Sequence, residues 1–392
     1  AIILIISYLL MKKKEEKQNI IYSIIISVII FFAYNIFICT IMFFINIKST
    51  LLNLSITNLI FASMPIYQIK KSKKIQKYYL NKLDLIAVII ILVVTISISI
   101  LNYGTNIAIK HGVTDAATHF FAADDFYKYS TFLTRENSDN VKWLGLSYLM
   151  PGAYINTGIL FKICASFINE VYFVKLYFIF DIFIWILSGL LMYTLLSIGK
   201  NDKKDKILAI IFTFFYVLAY QMNSLFAGFS YLSLGLDVIL GILIVMKLNI
   251  LPKYKNIMIF LLNIGIMFSY YYFAPVIFLA IFWDILRNNK KQGIKIFSLN
   301  TFADIIETLF IPGMLGVAYF IILPITGTAP SGIDHVSALK VDGFIYENFI
   351  TNILPYVLIS EIFLIFNNVR KRGSFLDKIL LLSVLFWVIA FC

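Results

Sequence analysis

The run Leu85-Ile86-Ala87-Val88-Ile89-Ile90-Ile91-Leu92-Val93-Val94-Thr95-Ile96-Ser97-Ile98-Ser99-Ile100-Leu101-Asn102-Tyr103 decides the fold. It contains no charged residue. Coiled as a helix at about 1.5 Å per residue, it reaches ~28 Å, close to the thickness of a bilayer's hydrocarbon core. In lipid every backbone polar group must be satisfied internally, which leaves helices or a closed barrel. The run is continuously apolar and does not alternate, so a helix is the reading. Apolar runs recur over 1–11, 19–46, 51–68, 170–198, 207–224, 229–249, 256–272, 273–288, 302–325, 346–367 and 376–392.

Composition agrees. The 392-residue chain is 61% hydrophobic and only 14% charged, with a mean hydropathy of +0.89. A soluble globule of this size needs far more polar surface. The expected fold class is therefore all-α: a polytopic integral membrane helical bundle of about 11–12 transmembrane helices, with juxtamembrane helices on its outer face. Residues 1–84 are expected to form N-terminal transmembrane helices and a basic cytoplasmic loop, and 85–392 a transmembrane core. The first residue is not Met and Leu381–Cys392 stop within an apolar run, so the sequence reads as a fragment of a longer protein.

The net charge of +12 raises the question of a nucleic-acid partner, which its distribution excludes. The basic residues form short clusters between apolar runs: Lys12-Lys13-Lys14, Lys70 to Lys82, Lys200 to Lys206, Lys253 with Lys255, Arg287 to Lys295, and Arg370-Lys371-Arg372. If the spans alternate, every cluster falls on one side, as cytoplasmic loops require. One missed helix would put a later cluster outside. Residues 256–288 test this. A single long helix would send Lys255 and Lys290 to opposite compartments. A hairpin turning at Tyr270-Tyr271-Tyr272-Phe273-Ala274-Pro275 keeps them together, because Pro275 interrupts a helix and tyrosines suit an interface. Cys39, Cys164 and Cys392 lie in apolar segments without CxxC spacing and read as ordinary apolar thiols. There is no P-loop, GxGxxG or HExxH motif.

This topology leaves two sizeable outer loops, 104–169 and 326–345, which hold all three histidines, His111, His119 and His335. In the first, Thr114-Asp115-Ala116-Ala117-Thr118-His119 leads into Asp124-Asp125, with alanines and aromatics at helical spacing. The pattern predicts a helix over about 114–133 on the membrane surface, N-capped by Thr114. Asp115 and His119, four residues apart, share a face. Such a pair can act as a general base, an oriented base pair or two metal ligands; equally, Asp115 can cap the helix while His119 rests at headgroup level. Near the positive end of the helix dipole Asp115 stays ionised. Asp124 and Asp125 suit substrate contact or a solvated face, and Arg135 and Lys142 suit a phosphate or a lipid headgroup. Read as another span, the segment from Pro151 to Ile168 would put Lys200 to Lys206 outside. It is expected to be a juxtamembrane helix dipping into the interface.

A span at 85–103, an outer loop carrying Asp-x-x-x-His, a Tyr/Pro/Gly segment (Tyr148 to Tyr154), an apolar juxtamembrane helix and a long span follow one another. Over roughly residues 85–325 this order resembles the GT-C superfamily of polytopic glycosyltransferases, including its mannosyltransferase-like and aminoarabinose-transferase-like bacterial members. The resemblance implies an essential acidic residue in the first outer loop, which matches Asp115. It also implies a polyprenyl-phosphate sugar donor, an active face outside the cell membrane, and an envelope glycan, lipid or protein as acceptor. Many members carry a second acidic residue directly behind the first. Here Ala116 occupies that place and Asp124/Asp125 are displaced. Transfer of this kind needs a carboxylate to take the acceptor's proton and a cation to steady the departing phosphate. Asp115 is the expected base. His119 is expected to orient it, contact the phosphate or join a divalent metal, for which Asp115 and His119 supply two ligands at most. The first three spans have no place in the resemblance.

In the second outer loop Asp334-His335 and Lys340 are candidates to close over substrate, as lid loops do, or belong to a plain connector. The resemblance raises Lys340 as a donor-phosphate ligand. Lys175, Asp181, Asp237 and Glu361 fall within predicted spans, where charge is costly and marks a cavity or a partner. Lys175 and Asp181 are expected in the outer half, lining the donor cavity, and Asp237, about two turns into its helix, also toward the outer, substrate-binding side. These same charges support a second reading, a transporter or flippase of lipid-linked sugars, although no internal repeat of the kind transporters often show is visible. A glycan polymerase or ligase would rely on outer-loop arginines, and Arg135 is the one present.

Overall fold

The computed structural model describes residues 18–72, 78–105, 114–134, 137–138, 150–200, 202–218, 228–248, 250, 252–295, 297–323, 354–370, 377–378 and 381. The described residues are all-helical apart from one two-residue parallel bridge, in which β1 (Gln18–Asn19) pairs with β2 (Tyr78–Tyr79). The principal helices are α1 (Ile20–Phe44), α2 (Leu51–Ser72), α3 (Lys82–Tyr103), α4 (Thr114–Tyr129), α5 (Pro151–Cys164), α6 (Phe173–Ser197), α7 (Lys203–Tyr216), α8 (Ser230–Lys247), α9 (Pro252–Tyr270) and α10 (Ala274–Lys291). They are followed by α11 (Leu299–Ile322), which contains two wider π turns, and α12 (Leu354–Val369). Among the described residues six stretches are long and apolar enough to cross a membrane: α1, α3, Glu170–Ser197, α8, Pro252–Lys290 and α11. Shorter apolar stretches lie at Leu51–Ser63 and Leu358–Val369. The expected spans 1–11 and most of 376–392 lie outside the described residues.

The expected hairpin is present. Helix α9 ends at Tyr270, whose backbone leaves the helical region (φ −158°, ψ 79°), and α10 starts beyond one 3-10 turn with Pro275 in its first turn. The two legs return to one end, where Lys255 of α9 meets Asp284 of α10 at 2.7 Å.

Starts and finishes of the helices gather at two opposite ends. At the basic end, α1, α3 and α7 begin with Asn19, Asn81 and Asp202, each accepting from a backbone N–H two residues on. This capping satisfies donors the first turn leaves open. There Asp84 of α3 accepts from Lys206 of α7 at 2.8 and 3.0 Å, Tyr193 of α6 at 2.6 Å, Tyr22 of α1 at 3.1 Å, and Asn19. At the far end the close of α1, residues 130–134, the start of α6 and the close of α11 meet. The contacts are Ser49 N–H to the Ser130 carbonyl (2.6 Å), Tyr127 to Glu170 (2.8 Å) and the rings of Phe43, Phe132 and Tyr319. Hydroxyls inside the spans, such as Ser27, Thr40, Thr95 and Ser99, donate to the carbonyl four residues back. That is how a polar side chain survives in an apolar helix without an outside partner.

Helix α5 corrects the expectation of an interfacial helix. Residues 151–159 are all buried, and α5 is wedged among α4, α1, α9, α8 and α6. Two features permit this. Asn156, polar and mid-helix, accepts from Asn35 of α1 (3.0 Å) and donates to the Gly152 carbonyl (2.9 Å), so it enters satisfied. Gly158 lets α4 come close: a Cβ there would stand 2.6 Å from the Phe126 ring and 2.9 Å from the Ala123 carbonyl oxygen. With no hydrophobic drive between helices in lipid, small residues and internal hydrogen bonds hold them together.

Candidate functional site

Helix α4 begins at Thr114, within a residue of the expected cap position, and ends at Tyr129. It is no lone surface helix. His119, Ala122, Ala123 and Phe126 are buried on one side, and Phe121 and Tyr129 are exposed on the other. Its C-terminus is held by Lys162 of α5, which donates to the Tyr127 carbonyl (2.7 Å) and Ser130 Oγ (2.6 Å) and lies over the Phe126 ring. A cation at a helix C-terminus opposes the negative end of the dipole. Its N-terminal half rests on the start of α8. Gly228 has φ +88°, and a Cβ there would meet the Ala116 backbone nitrogen at 2.7 Å. Only glycine combines that conformation with that approach.

His119 is 8% exposed, and its ring sits 4.6 Å from that of Tyr231, in the first turn of α8. Its Nδ1 has no hydrogen-bond partner. Burial lowers its pKa to about 4, so the imidazole is neutral at pH 7 and Nδ1 is open to accept or to ligate. Asp115 lies one turn before it on the same helix, but its side chain is outside the described residues, as is Thr114's.

Beneath His119 runs a polar seam that composition did not reveal. Helices α6 and α8 both run from the far end to the basic end. Tyr177 of α6 bonds Ser230 of α8 at 3.0 Å, and Asp181, one turn deeper on α6, lies in hydrogen-bonding reach of Ser230. Seven residues farther the pairing reverses: Ser188 of α6 donates to Asp237 of α8. Seven residues are two helical turns, about 10.5 Å, so the same two faces meet again. Asp181 and Asp237 are 3% and 0% exposed, and each keeps one carboxylate oxygen without a hydrogen-bond partner.

The other sequence candidates scatter. Asp124 pairs with Lys128 at 2.6 Å on the solvated side of α4. Asp125 accepts from Ser138. Lys175, expected to line the outer cavity, is exposed and sits over the Tyr172 ring at 5.7 Å. Arg135, Lys142, His335, Lys340 and the second outer loop lie outside the described residues. Glu361 is 9% exposed with one oxygen unpartnered, on α12. So His119 meets Tyr231 at the far end, beside Ser230 and Asp181, while Asp237 lies two turns deeper with Ser188, and Asp124 and Lys175 stand apart. Ser188, Ser230 and Lys162 escaped sequence reasoning. For Lys162 the signal was a lone cation in an apolar helix; for the serines there was none. Among the described residues no three His, Cys, Asp or Glu side chains cluster as a metal site.

Comparison of the chain with protein-family models, curated proteins and solved structures returns no match in any of the three. What stands from sequence and structure together is a polytopic helical membrane protein.

Proposed function

We propose that this chain is a membrane glycosyltransferase, resembling the GT-C superfamily, whose basic end faces the cytoplasm and whose far end holds the active site outside it. The observation that supports this reading is the buried, neutral His119 with Nδ1 unpartnered, one turn from Asp115 on a helix clamped at both ends. In the proposed reaction Asp115 takes the proton of the acceptor hydroxyl. The freed oxygen attacks the anomeric carbon of a polyprenyl-phosphate sugar, and the bond from that carbon to the phosphate oxygen breaks with inversion. The lipid phosphate departs, and the carboxyl later returns its proton to water. His119 orients the carboxylate or contacts the leaving phosphate, alone or through a divalent ion. The acceptor is an envelope glycan, lipid or protein.

The seam of Asp181 and Asp237 favours a second reading, a carrier of lipid-linked sugars, because buried carboxylates inside spans mark pathways as well as sites. One experiment separates the two: transfer from radiolabelled polyprenyl-phosphate sugars to extracted membrane acceptors, wild type against Asp115→Asn, with equal insertion checked. Transfer abolished by the substitution supports the enzyme. Absence of transfer with every donor, together with donor flipping in proteoliposomes, replaces it with the carrier.

A further inference from the structure

At the basic end, far from His119, the ends of α8, α9, α10 and α11 enclose a cavity of about 410 Å³. That is within the range of small-molecule sites. Part of the lining is apolar, including Met246, Ile259, Ile281 and Ile285. The rest is polar, with two cations and two anions. Of its two cations, Lys255 bonds Asp284 (2.7 Å) and the Met246 carbonyl (3.2 Å), and Lys247 donates to the Leu195 carbonyl (2.8 Å). Of its two anions, Asp284 has Lys255, and Asp304 accepts from Asn256 (2.7 Å) and Asn289 (3.3 Å). The lining carries no net formal charge, and each of its four charged groups already holds a hydrogen bond.

The lining also holds four carboxamides, Asn256, Asn288, Asn289 and Gln292. Asn289 is locked by Thr301 (3.0 Å) and Asp304. Asn288 and Gln292, one turn apart on α10, share a face, and their side chains form no bond within the described protein. A carboxamide offers an acceptor and two donors side by side, matching neighbouring hydroxyls that each donate and accept. Ile281 and Ile285, one to two turns deeper on the same face of α10, give the C–H face of a ring an apolar surface.

We propose that this cavity is a binding site for a neutral sugar, free or as the headgroup of a glycolipid. The site lies among the basic clusters that end the spans, where a free sugar and a lipid headgroup both have access. It is remote from His119 and does not depend on the transfer reading.

The full chain is reconstituted in phosphatidylcholine nanodiscs doped with monoglucosyl- or monogalactosyl-diacylglycerol, or with phosphatidylglycerol, and retained lipid is read by native mass spectrometry. Free methyl glycosides serve as competitors and as ligands in discs without glycolipid. The expected result is at least tenfold preference for a neutral glycolipid, or saturable binding of a free glycoside, reduced at least tenfold by Asn288→Leu/Gln292→Leu. Asn288 is half-buried and Gln292 exposed, and an unchanged unfolding midpoint shows that the variant is folded. Glycoside that displaces the lipid identifies a headgroup; glycoside binding without lipid retention identifies a free sugar. Equal retention of phosphatidylglycerol, no binding of either sugar form, or binding indifferent to the double substitution would overturn the proposal.

Discussion

Replacing Asp84 by alanine should destabilise the bundle by about 3–5 kcal/mol, the cost of leaving a buried charge without its partner. The side chains of Asp84 and Lys206 are 0% and 4% exposed. The carboxylate accepts five hydrogen bonds from four side chains, two of them from Lys206. Without it, the Lys206 ammonium keeps, among the described residues, the Tyr22 ring 6.0 Å away. Tyr22 retains Ser197 at 2.8 Å. Lys206→Met should cost less, about 1–3 kcal/mol, because Tyr193, Tyr22 and Asn19 still donate to the carboxylate. The double change Asp84→Leu/Lys206→Met removes both charges and should again cost about 1–3 kcal/mol, less than Asp84→Ala alone. The exposed pair of Lys200 and Asp205, at 3.3 Å, is the control, and Lys200→Ala should fall within about 0.5 kcal/mol of wild type. Reversible unfolding in mixed micelles, titrated with dodecyl sulfate, measures all four. An Asp84→Ala protein within about 1 kcal/mol of wild type, or a double variant worse than Asp84→Ala, would refute the reasoning and show that water reaches the pair.

The remaining predictions concern the far end. His119 is neutral when folded to about pH 4, and free histidine gains its proton near 6.5. The unfolded chain therefore binds the extra proton first: stability is full above pH 6.5 and falls as pH drops toward 4, by up to ~3 kcal/mol from this residue. Unfolding midpoints from pH 7 to 4 should show the decline, and His119→Gln should flatten it; a variant with the parent's slope contradicts the buried neutral imidazole. Gly158→Val, which drives a side chain into Phe126 and the Ala123 carbonyl, should cost at least 1–3 kcal/mol and loosen α4 from α5, read as faster amide exchange over 114–129. Protection equal to wild type would mean that the two helices are held apart from that contact.

Much of the architecture was legible in the chain itself. Apolar runs located α1, α3, α6, α8 and α11. Placing every basic cluster on one side required the turn at Tyr270–Pro275, and the Lys255–Asp284 contact shows the two legs side by side. The start of α4 at Thr114 and the shared turn of Asp115 and His119 also followed from spacing. These are local properties. Partition into lipid, helical period and capping sum over a window of neighbours and need no knowledge of what lies across the bundle.

Tertiary structure alone decided the rest. Asp84 and Lys206 sit in or beside basic clusters, where each reads as an ordinary boundary charge; only the crossing of α3, α6 and α7 brings them together with Tyr193. The charge pattern that places α5 at the interface says nothing of its burial, which Asn156 and Gly158 decide by fitting it to α1 and α4. Asp181 and Asp237 were visible as costly charges, but their reciprocal partners Ser230 and Ser188 were two serines among many. Which residues meet depends on the rotation and crossing of whole helices, set jointly by every small side chain and hydrogen bond along the contact. The chain carries that information in pairs of residues, not in its periodicity, and so the bundle was readable from the sequence while the seam inside it was not.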